Sequence, residues 1–345
     1  MSETAHQSNR RRPRLRLHFP GLFDVGRVLV EDLQAQAPAL PGLHRLLARG
    51  DALPADSLQG PGQSQAALAL LGEGKRPGQG YWLRADPVHL RPDQDFLLLW
   101  DGRALDLDAE EADALVGQFN QQFAEDGWRL EVQAPDRWYL AAPGDLSVET
   151  TPVAAVTGRN INHFMPAGPD RVKLEQLINE TQMLFHDHPV NQARTARGLP
   201  TVSGVWPWGG GRLDEVENRL GSWASLLSND PVWQGLAQHQ GCKSGPEPAS
   251  FSDWRGQAWG DSLVVIETGT RAALDGDGPG WQAALEQLDR DWWQAALRAL
   301  GKGELDSLEL ALGPLGPWHM RPGMRWRFWR RERPLWEHLA ESEAE

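Results

Sequence analysis

The sequence predicts an α/β fold: a mostly parallel sheet sandwiched by helices, with an inserted small α+β domain. Three observations favour this class. Strand-like and helix-like segments alternate before residue 76 and again after residue 171. Asp261–Glu267 contains an uninterrupted apolar run, which is typical of a parallel strand buried on both faces. Between the alternating regions, a strand, a helix and a hairpin follow one another closely, as in a compact α+β unit.

These patterns divide the chain into a discontinuous core and an insert. We assign residues 14–75 and 171–330 to the α/β core and residues 76–170 to a lid-like α+β insert. Residues 1–13 are polar and end in an Arg run, which predicts a disordered basic tail. Residues 331–345 are predicted to form a C-terminal tail with an acidic end.

Each predicted element carries its own local signal, a short β-favouring run for a strand or 3.6-residue apolar spacing for a helix. The predicted strands are Leu15–His18, Phe96–Trp100, Trp128–Val132, Trp138–Ala141, Asp261–Glu267, Leu308–Leu312 and an edge strand at Trp326–Trp329. The predicted helices are Val28–Arg49 with interruptions at Pro38 and Pro41, Ala66–Gly72, Asp108–Glu125, Val172–Phe185 and Trp281–Leu300.

Composition excludes several classes of function. A formal net charge of −13 argues against general nucleic-acid binding, which needs a basic face. The single cysteine, Cys242, allows no intrachain disulfide framework and fits a reducing compartment. No apolar run is long enough for a membrane helix, and the N-terminal arginines precede no apolar signal region. We therefore expect a cytoplasmic protein without nucleic-acid or membrane partners.

The stretch His186–Gly198, with its continuation Val205–Arg212, is the densest in groups able to hold an anionic ligand. It opens with His186, Asp187 and His188. Neighbouring residues at a helix end point in different directions and rarely converge on one ion. We therefore interpret the trio as a helix terminus, where the dipole favours His, with metal ligation as the alternative.

The remaining polar groups of this stretch suit anion binding. Arg194 and Arg197 are three residues apart and can share a helix face, which favours bidentate binding of phosphate or carboxylate. A solvated surface pair is the alternative. The run Gly209–Gly211 permits close backbone approach but lacks the Lys and Ser/Thr of a P-loop. Trp206 and Trp208 alternate, so that one is expected to face the core and the other a cleft.

This stretch also resembles a known family. His188-Pro189-Val190-Asn191, then Arg194, Gly198 and Trp206-x-Trp208-Gly209-x-Gly211, are similar to a motif of archaeal-type cofactor-independent phosphoglycerate mutases, two-metal phosphotransferases of the alkaline phosphatase superfamily. Asn179-Glu180-x-Gln182-Met183, just upstream, resembles a divergent bacterial branch, the RpfE-type regulatory proteins. The resemblance implies an alkaline-phosphatase-like core with a lid-like insert.

The departures from the family concern the catalytic groups. The mutase nucleophile, a Ser or Thr, falls on Gln63, with Ser64 one residue away as the remaining candidate. The resemblance places the family's metal ligands on Pro20, Thr270, Leu274, Pro314 and Leu315. None of these five side chains is a carboxylate or an imidazole. Two-metal catalysis requires both an activated nucleophile and a cation clamp, so the sequence predicts that metal binding is lost.

The favoured prediction is a catalytically inactive mutase-like protein that binds no cofactor and has a regulatory or interaction role. The residues predicted to bind a small phosphorylated or carboxylated metabolite are His188, Asn191, Arg194, Arg197, Trp206, Trp208, Gly209 and Gly211. The alternative is an active phosphotransferase holding Mn or Zn in a rearranged site. That site would use Asp24, Ser64 and His186–His188. A third hypothesis is a structural subunit whose Trp-rich surface binds a protein partner, and an exposed aromatic patch would indicate it.

Overall fold

The chain forms two compact units. The computed structural model describes residues 12–54, 62–93, 96–217, 221–257 and 259–342, so almost all of the predicted tail 1–13 lies outside the described residues. Unit 1 comprises 1–60, 219–229 and 240–345, and unit 2 comprises 61–218 and 230–239. The predicted insert, 76–170, falls within unit 2. That unit also takes in residues 61–75, 171–218 and 230–239, which the sequence assigns to the core.

Strands and helices alternate along the described chain. The strands are β1 Arg14–His18, β2 Asp51–Ala52, β3 Trp82–Asp93, β4 Phe96–Trp100, β5 Arg129–Ala134, β6 Arg137–Ala141, β7 Gly204–Gly211, β8 Ser225–Leu227, β9 Lys243–Gly245, β10 Ser262–Val265, β11 Ser307–Ala311 and β12 Pro317–Met320. The helices are α1 Arg27–Ala35, α2 Pro41–Arg49, α3 Gln65–Gly72, α4 Gly102–Leu105, α5 Ala109–Gln122, α6 Val153–Val156, α7 Arg171–His186, α8 Pro189–Ala196, α9 Pro231–Gln240, α10 Phe251–Arg255, α11 Thr270–Asp275, α12 Gly278–Leu288, α13 Gln294–Lys302 and α14 Leu335–Ser342.

Unit 1 is built on a seven-stranded, mostly parallel sheet in the order β2-β12-β11-β1-β10-β8-β9. Strand β1 lies at its centre, parallel to both β10 and β11, while β12 and β2 add an antiparallel edge. Leu15 and Leu17 of β1 are fully buried in the main apolar cluster, to which α1, α2, α12, α13 and α14 also contribute. The predicted α/β class with a parallel sheet is confirmed.

A buried carboxylate links two helices of this unit. The predicted helix Trp281–Leu300 runs as α12, a π-helical turn at Asp289–Trp293 and α13. Asp289 is fully buried and accepts hydrogen bonds from the backbone N–H groups of Gly42 and Leu43 at 3.2 and 2.8 Å. No residue at the start of α2 caps it with its own side chain, so Asp289 caps α2 from a distant segment.

Two predictions near the C-terminus are wrong. Trp326–Trp329 is not an edge strand: a 3₁₀ turn at Pro322–Trp326 is followed by exposed, irregular chain. The predicted tail, 331–345, contains helix α14, whose Leu335 and Leu339 are buried in the core of unit 1. In Trp326–Trp329, aromatic and Arg side chains follow one another in a way that mimics strand periodicity. In α14, the apolar side chains contribute surface that the core buries.

Unit 2 contains a second sheet, in the order β4-β3-β6-β5, with β7 also paired to β3. All its pairings are antiparallel. Helix α5 begins with a capping box formed by Asp108 and Glu111, and it buries Leu115 and Phe119. Within the described residues, no helix of either unit is long and apolar enough to cross a bilayer.

Two glycines bring α3 and α9 into backbone contact within unit 2. A Cβ on Gly235 would lie 1.8 Å from the carbonyl oxygen of Leu68, and one on Gly72 would lie 2.0 Å from that of Pro231. We expect Gly235→Ala to lower the free energy of unfolding by about 2 kcal/mol, because the helices must separate to admit the methyl group. Chemical denaturation followed by tryptophan fluorescence measures this change.

The matched control lies on α5. A Cβ on Gly117 meets nothing within 4 Å, and Gly117 has an ordinary helical backbone. Gly117→Ala should therefore raise stability by about 0.5 kcal/mol through the entropy of the unfolded chain. If Gly235→Ala were as harmless as this control, the two helices would not be in backbone contact in solution.

Candidate functional site

The His186–His188 segment is a corner between two helices. Helix α7 ends at His186 and Asp187, whose side chains are 84% and 91% exposed. His188 caps α8, because its Nδ1 accepts the backbone N–H of Val190 at 3.1 Å. Burial lowers the pKa of His188 below its ordinary value, which keeps the imidazole neutral and able to accept. The interpretation as a helix terminus fits this geometry better than metal ligation.

Asn191 ties this corner to the chain that leads into β7. Its amide nitrogen donates to the carbonyl oxygens of Phe185 and Val202 at 2.7 and 2.8 Å, and its Oδ1 accepts the N–H of Val202 at 2.8 Å. The residue is buried. These bonds use both N–H groups and the carbonyl oxygen of the amide. Asn191 therefore fixes the backbone at Phe185 and Val202 rather than binding a ligand.

The geometry corrects the role predicted for Arg194. Its fully buried guanidinium donates to the Glu111 carboxylate, to the Leu105 carbonyl oxygen, and through Nε to the Pro200 carbonyl oxygen at 2.8 Å. Arg197 has a 62% exposed side chain and lies 3.5 Å from the second oxygen of Glu111. The two guanidiniums therefore converge on a carboxylate of the protein, not on an open anion site.

The Trp-Gly stretch forms strand β7, which pairs antiparallel with β3. Both indoles are buried: Trp206 donates to the Thr151 carbonyl oxygen at 2.8 Å and Trp208 to Asp86 Oδ2 at 2.7 Å. The Gly209 N–H donates to the Thr150 hydroxyl at 3.2 Å, and Gly209 has a φ of +65°. These contacts place the predicted ligand-binding stretch in the sheet of unit 2.

A buried ion pair behind Trp208 is not signalled by any motif. Arg84 bonds Asp86 through Nε, at 3.2 Å, and through Nη2, and its guanidinium lies 5.2 Å from the ring centres of both Trp208 and Tyr139. Burial raises the pKa of Asp86, while Arg84 opposes this. Asp230 also acts on Arg84 electrostatically. Arg84 and Asp86 are two residues apart on β3, so their side chains lie on the same face of the strand. That spacing of opposite charges is the signal from which the ion pair could have been predicted.

Ser64, the candidate nucleophile, occupies a strained and enclosed position. Its φ is +63°, which is unusual for a residue with a side chain. The residue is fully buried, and its hydroxyl has no hydrogen-bond partner among the described residues. Gly211 passes so close that a Cβ there would lie 2.2 Å from Ser64 Oγ. The hydroxyl is therefore packed beneath β7, while Gln63 beside it is exposed.

The positions that match the family's metal ligands lie in unit 1, after the ends of the central strands. The Thr270 hydroxyl donates to the Pro20 carbonyl oxygen at 2.8 Å. Leu274, on α11, is partly exposed, and Pro314 and Leu315 form a 3₁₀ turn. No three His, Cys, Asp or Glu side chains group as metal ligands anywhere in the described part of the chain. These side chains do not fit a two-metal centre.

Unit 1 also presents an exposed cluster of aromatic side chains. We call it the aromatic patch: Trp326, Phe328 and Trp329, which are 62%, 76% and 70% exposed. Arg327 and Arg330, which alternate with these rings, bind Asp51 at 2.6 and 3.1 Å. Arg330 also donates to the Gly50 carbonyl oxygen at 2.8 Å. The arginines hold this segment to the end of α2 and to β2, which leaves the rings in solvent.

Comparison with known proteins adds a family likeness. No protein-family model matches the chain. A 2,3-bisphosphoglycerate-independent phosphoglycerate mutase of Methanosarcina mazei is 27% identical over 228 residues, 60% of this chain and 57% of the relative. One of Methanosarcina acetivorans is 24% identical over 230 residues, with the same shares covered. The chain is phosphoglycerate-mutase-like. It aligns with somewhat over half the length of these relatives.

One solved structure shares the fold of this chain. The PH0037 protein from Pyrococcus horikoshii superposes with a TM-score of 0.51 at 13% identity, covering 87% of this chain and 81% of that one. A cofactor-independent phosphoglycerate mutase from Thermoplasma acidophilum gives a TM-score of 0.42 at 17% identity, covering 90% and 89%. The predicted α/β class with a mostly parallel sheet is confirmed by the sheet of unit 1, and the first of these structures shares the fold of the chain.

Proposed function

We propose that this phosphoglycerate-mutase-like chain has lost mutase catalysis and acts as a cytoplasmic regulatory or interaction protein, as in the RpfE-type branch that its motif resembles. One observation supports this most directly: the hydrogen bond from the Thr270 hydroxyl to the Pro20 carbonyl oxygen. The resemblance puts a metal-binding Asp at both positions in the mutases. Here the two residues satisfy each other and offer no carboxylate to a cation.

The surroundings of the candidate nucleophile support the same proposal. Phosphoryl transfer in a two-metal site needs cations on the attacking and leaving oxygens and a nucleophile that can reach the substrate. The Ser64 hydroxyl is buried beneath Gly211. The rearranged Mn or Zn site would also require His186 and Asp187, whose side chains extend into solvent, and His188, which caps a helix.

The interaction role draws support from the aromatic patch. Exposed apolar clusters that are presented by a fixed backbone commonly mark contact surfaces, and Trp and Arg are enriched at the centres of protein interfaces. The aromatic patch contains two Trp rings, and an Arg lies beside it: Arg325 stacks on Trp326 with its guanidinium 4.8 Å from the ring centre. A protein partner that covers these rings is therefore the second candidate function.

The decisive experiment measures mutase activity and metal content on the full chain. We expect no conversion of 3-phosphoglycerate above background with Mn or Zn added, and no stoichiometric metal in the purified protein. The control is an archaeal mutase assayed in parallel. Two equivalents of bound metal, with an activity abolished by Ser64→Ala, would establish the alternative of an active phosphotransferase.

Binding of a small phosphorylated or carboxylated metabolite stays a prediction. The Arg194 guanidinium is bonded within the protein, whereas that of Arg197 is exposed. Of the two predicted arginines, Arg197 is therefore the one that a ligand in solution can reach. Calorimetry with 3-phosphoglycerate tests this prediction. A saturable heat that Arg197→Ala removes would support a metabolite sensor, and no heat at millimolar ligand would leave only the interaction role.

A further inference from the structure

Unit 2 contains a cavity of about 750 Å³ whose wall is strongly acidic. Its carboxylates come from Asp145, Glu149, Asp170, Glu215 and Glu217, and no Lys or Arg of the described part of the chain lines it. The volume falls within the range of small-molecule sites and greatly exceeds that of a bare metal ion. The field of such a wall repels phosphorylated acids and attracts cations.

Tyr81 supplies a second, independent sign of a ligand. The residue lines the cavity and is only 8% exposed, and its hydroxyl, which bonds no described residue, is open to the cavity rather than enclosed. Gly210 leaves room for it, because a Cβ there would lie 2.5 Å from Tyr81 Oη. Burial, with the charges of Glu215, Asp145 and Asp170, raises the pKa of Tyr81 to about 12. The hydroxyl therefore stays protonated, within the field of three wall carboxylates.

The cations around the cavity only partly balance the wall. Arg212 reaches Asp145 at 3.4 Å and Asp214 at 3.2 Å, and Lys173 pairs with Asp170 at 2.8 Å. Glu149 has no cationic partner among the described residues and is exposed. An uncompensated carboxylate and an unpaired phenol therefore face the same space.

We propose that this cavity binds an organic cation, a small amine or guanidinium compound, through the Tyr81 hydroxyl and the carboxylates of Glu149 and Asp145. An ammonium group donates to both phenol and carboxylate oxygens. The described carboxylates form no metal-ligand group, which favours an extended organic cation over a metal ion. This inference goes beyond the proposed function and is independent of it, because its test reads binding rather than turnover.

The test is calorimetric titration of the full chain with spermidine and with agmatine, each at low and at physiological ionic strength. We expect saturable binding at one site for at least one of these probes. Tyr81→Phe and Glu149→Gln should each weaken it by about fivefold or more, because each removes a direct contact to the cation. Circular dichroism tests whether both variants fold. If Tyr81→Phe does not fold, the affinity of Glu149→Gln, which changes an exposed side chain, decides whether the cavity binds the cation.

The matched control is Asp113→Asn, which removes one negative charge from an exposed position of the same unit outside the cavity wall. It should change the affinity by less than about twofold, since a distant exposed charge is screened by salt. The absence of saturable binding, or an equal loss in Asp113→Asn, would overturn the proposal, because the cations would then be attracted only by the overall negative charge.

Discussion

Replacing Arg194 by Met should lower the free energy of unfolding by about 3–5 kcal/mol, the range typical of a buried ion pair that loses one partner. The Arg194 guanidinium is the common partner of Glu111 on α5 and of the Leu105 and Pro200 carbonyl oxygens. Without it, the two carbonyl oxygens lose this donor, and the largely buried Glu111 carboxylate keeps the exposed Arg197 at 3.5 Å and the Asp108 N–H at 3.4 Å. Chemical denaturation followed by tryptophan fluorescence measures the change, and hydrogen exchange of α5 and α8 locates it.

Arg197→Ala is the matched control, since Arg197 approaches the same carboxylate from solvent at 3.5 Å. Its loss should cost no more than about 0.5 kcal/mol, as for exposed ion pairs generally. If Arg194→Met left stability unchanged while it abolished binding of 3-phosphoglycerate, the side chain would have a ligand role and the contacts described here would be incidental.

The comparison of these two arginines shows what local sequence can and cannot predict. Their spacing of three residues predicted a shared helix face and an anionic ligand, whereas in the structure both guanidiniums contact the Glu111 carboxylate of the protein. The identity of the anion depended on Glu111, which is 83 residues from Arg194 along the chain. Burial is likewise set by tertiary contacts, so a motif alone could not distinguish a ligand-binding arginine from one that joins two helices.

Elements with strong local signals were predicted well, and those formed by pairing were not. The helix predicted from Asp108 and the apolar run of β10 match the structure. Strands β3 and β7 were missed, because β3 contains Pro87 and Pro92 and β7 ends in three glycines. They become strands through pairing with each other, for example Pro87 opposite Val205.

The acidic cavity had no local signal at all. Its wall joins Tyr81 with three separate segments of chain, around residues 145–149, 168–170 and 215–217. Each segment alone is typical of a solvated acidic loop. Only the sheet of unit 2 brings their charges together, so the sequence could indicate the net acidity of the chain but not where it is concentrated.

Asp289→Ala should destabilise unit 1 by about 3 kcal/mol, because a buried charged acceptor of several hydrogen bonds is lost. Asp289 receives the N–H groups of Gly42 and Leu43, and the Gln294 side chain at 2.7 Å. These N–H groups begin α2, where a negative charge also interacts favourably with the helix dipole. Glycine is required at position 42, since a Cβ there would lie 2.8 Å from Asp289 Oδ1.

Two further variants test the carboxylate and the turn that carries it. Asp289→Asn keeps one acceptor oxygen but turns an NH2 donor toward N–H groups that the other oxygen accepts, so it should still cost about 2 kcal/mol. Asp291→Ala, in the same π-helical turn, should change stability by less than about 0.5 kcal/mol, since its side chain forms no hydrogen bond with any residue that the structure describes. Equal losses at positions 289 and 291, measured by denaturation, would mean that the turn itself, and not the cap it supplies to α2, determines the stability of this region.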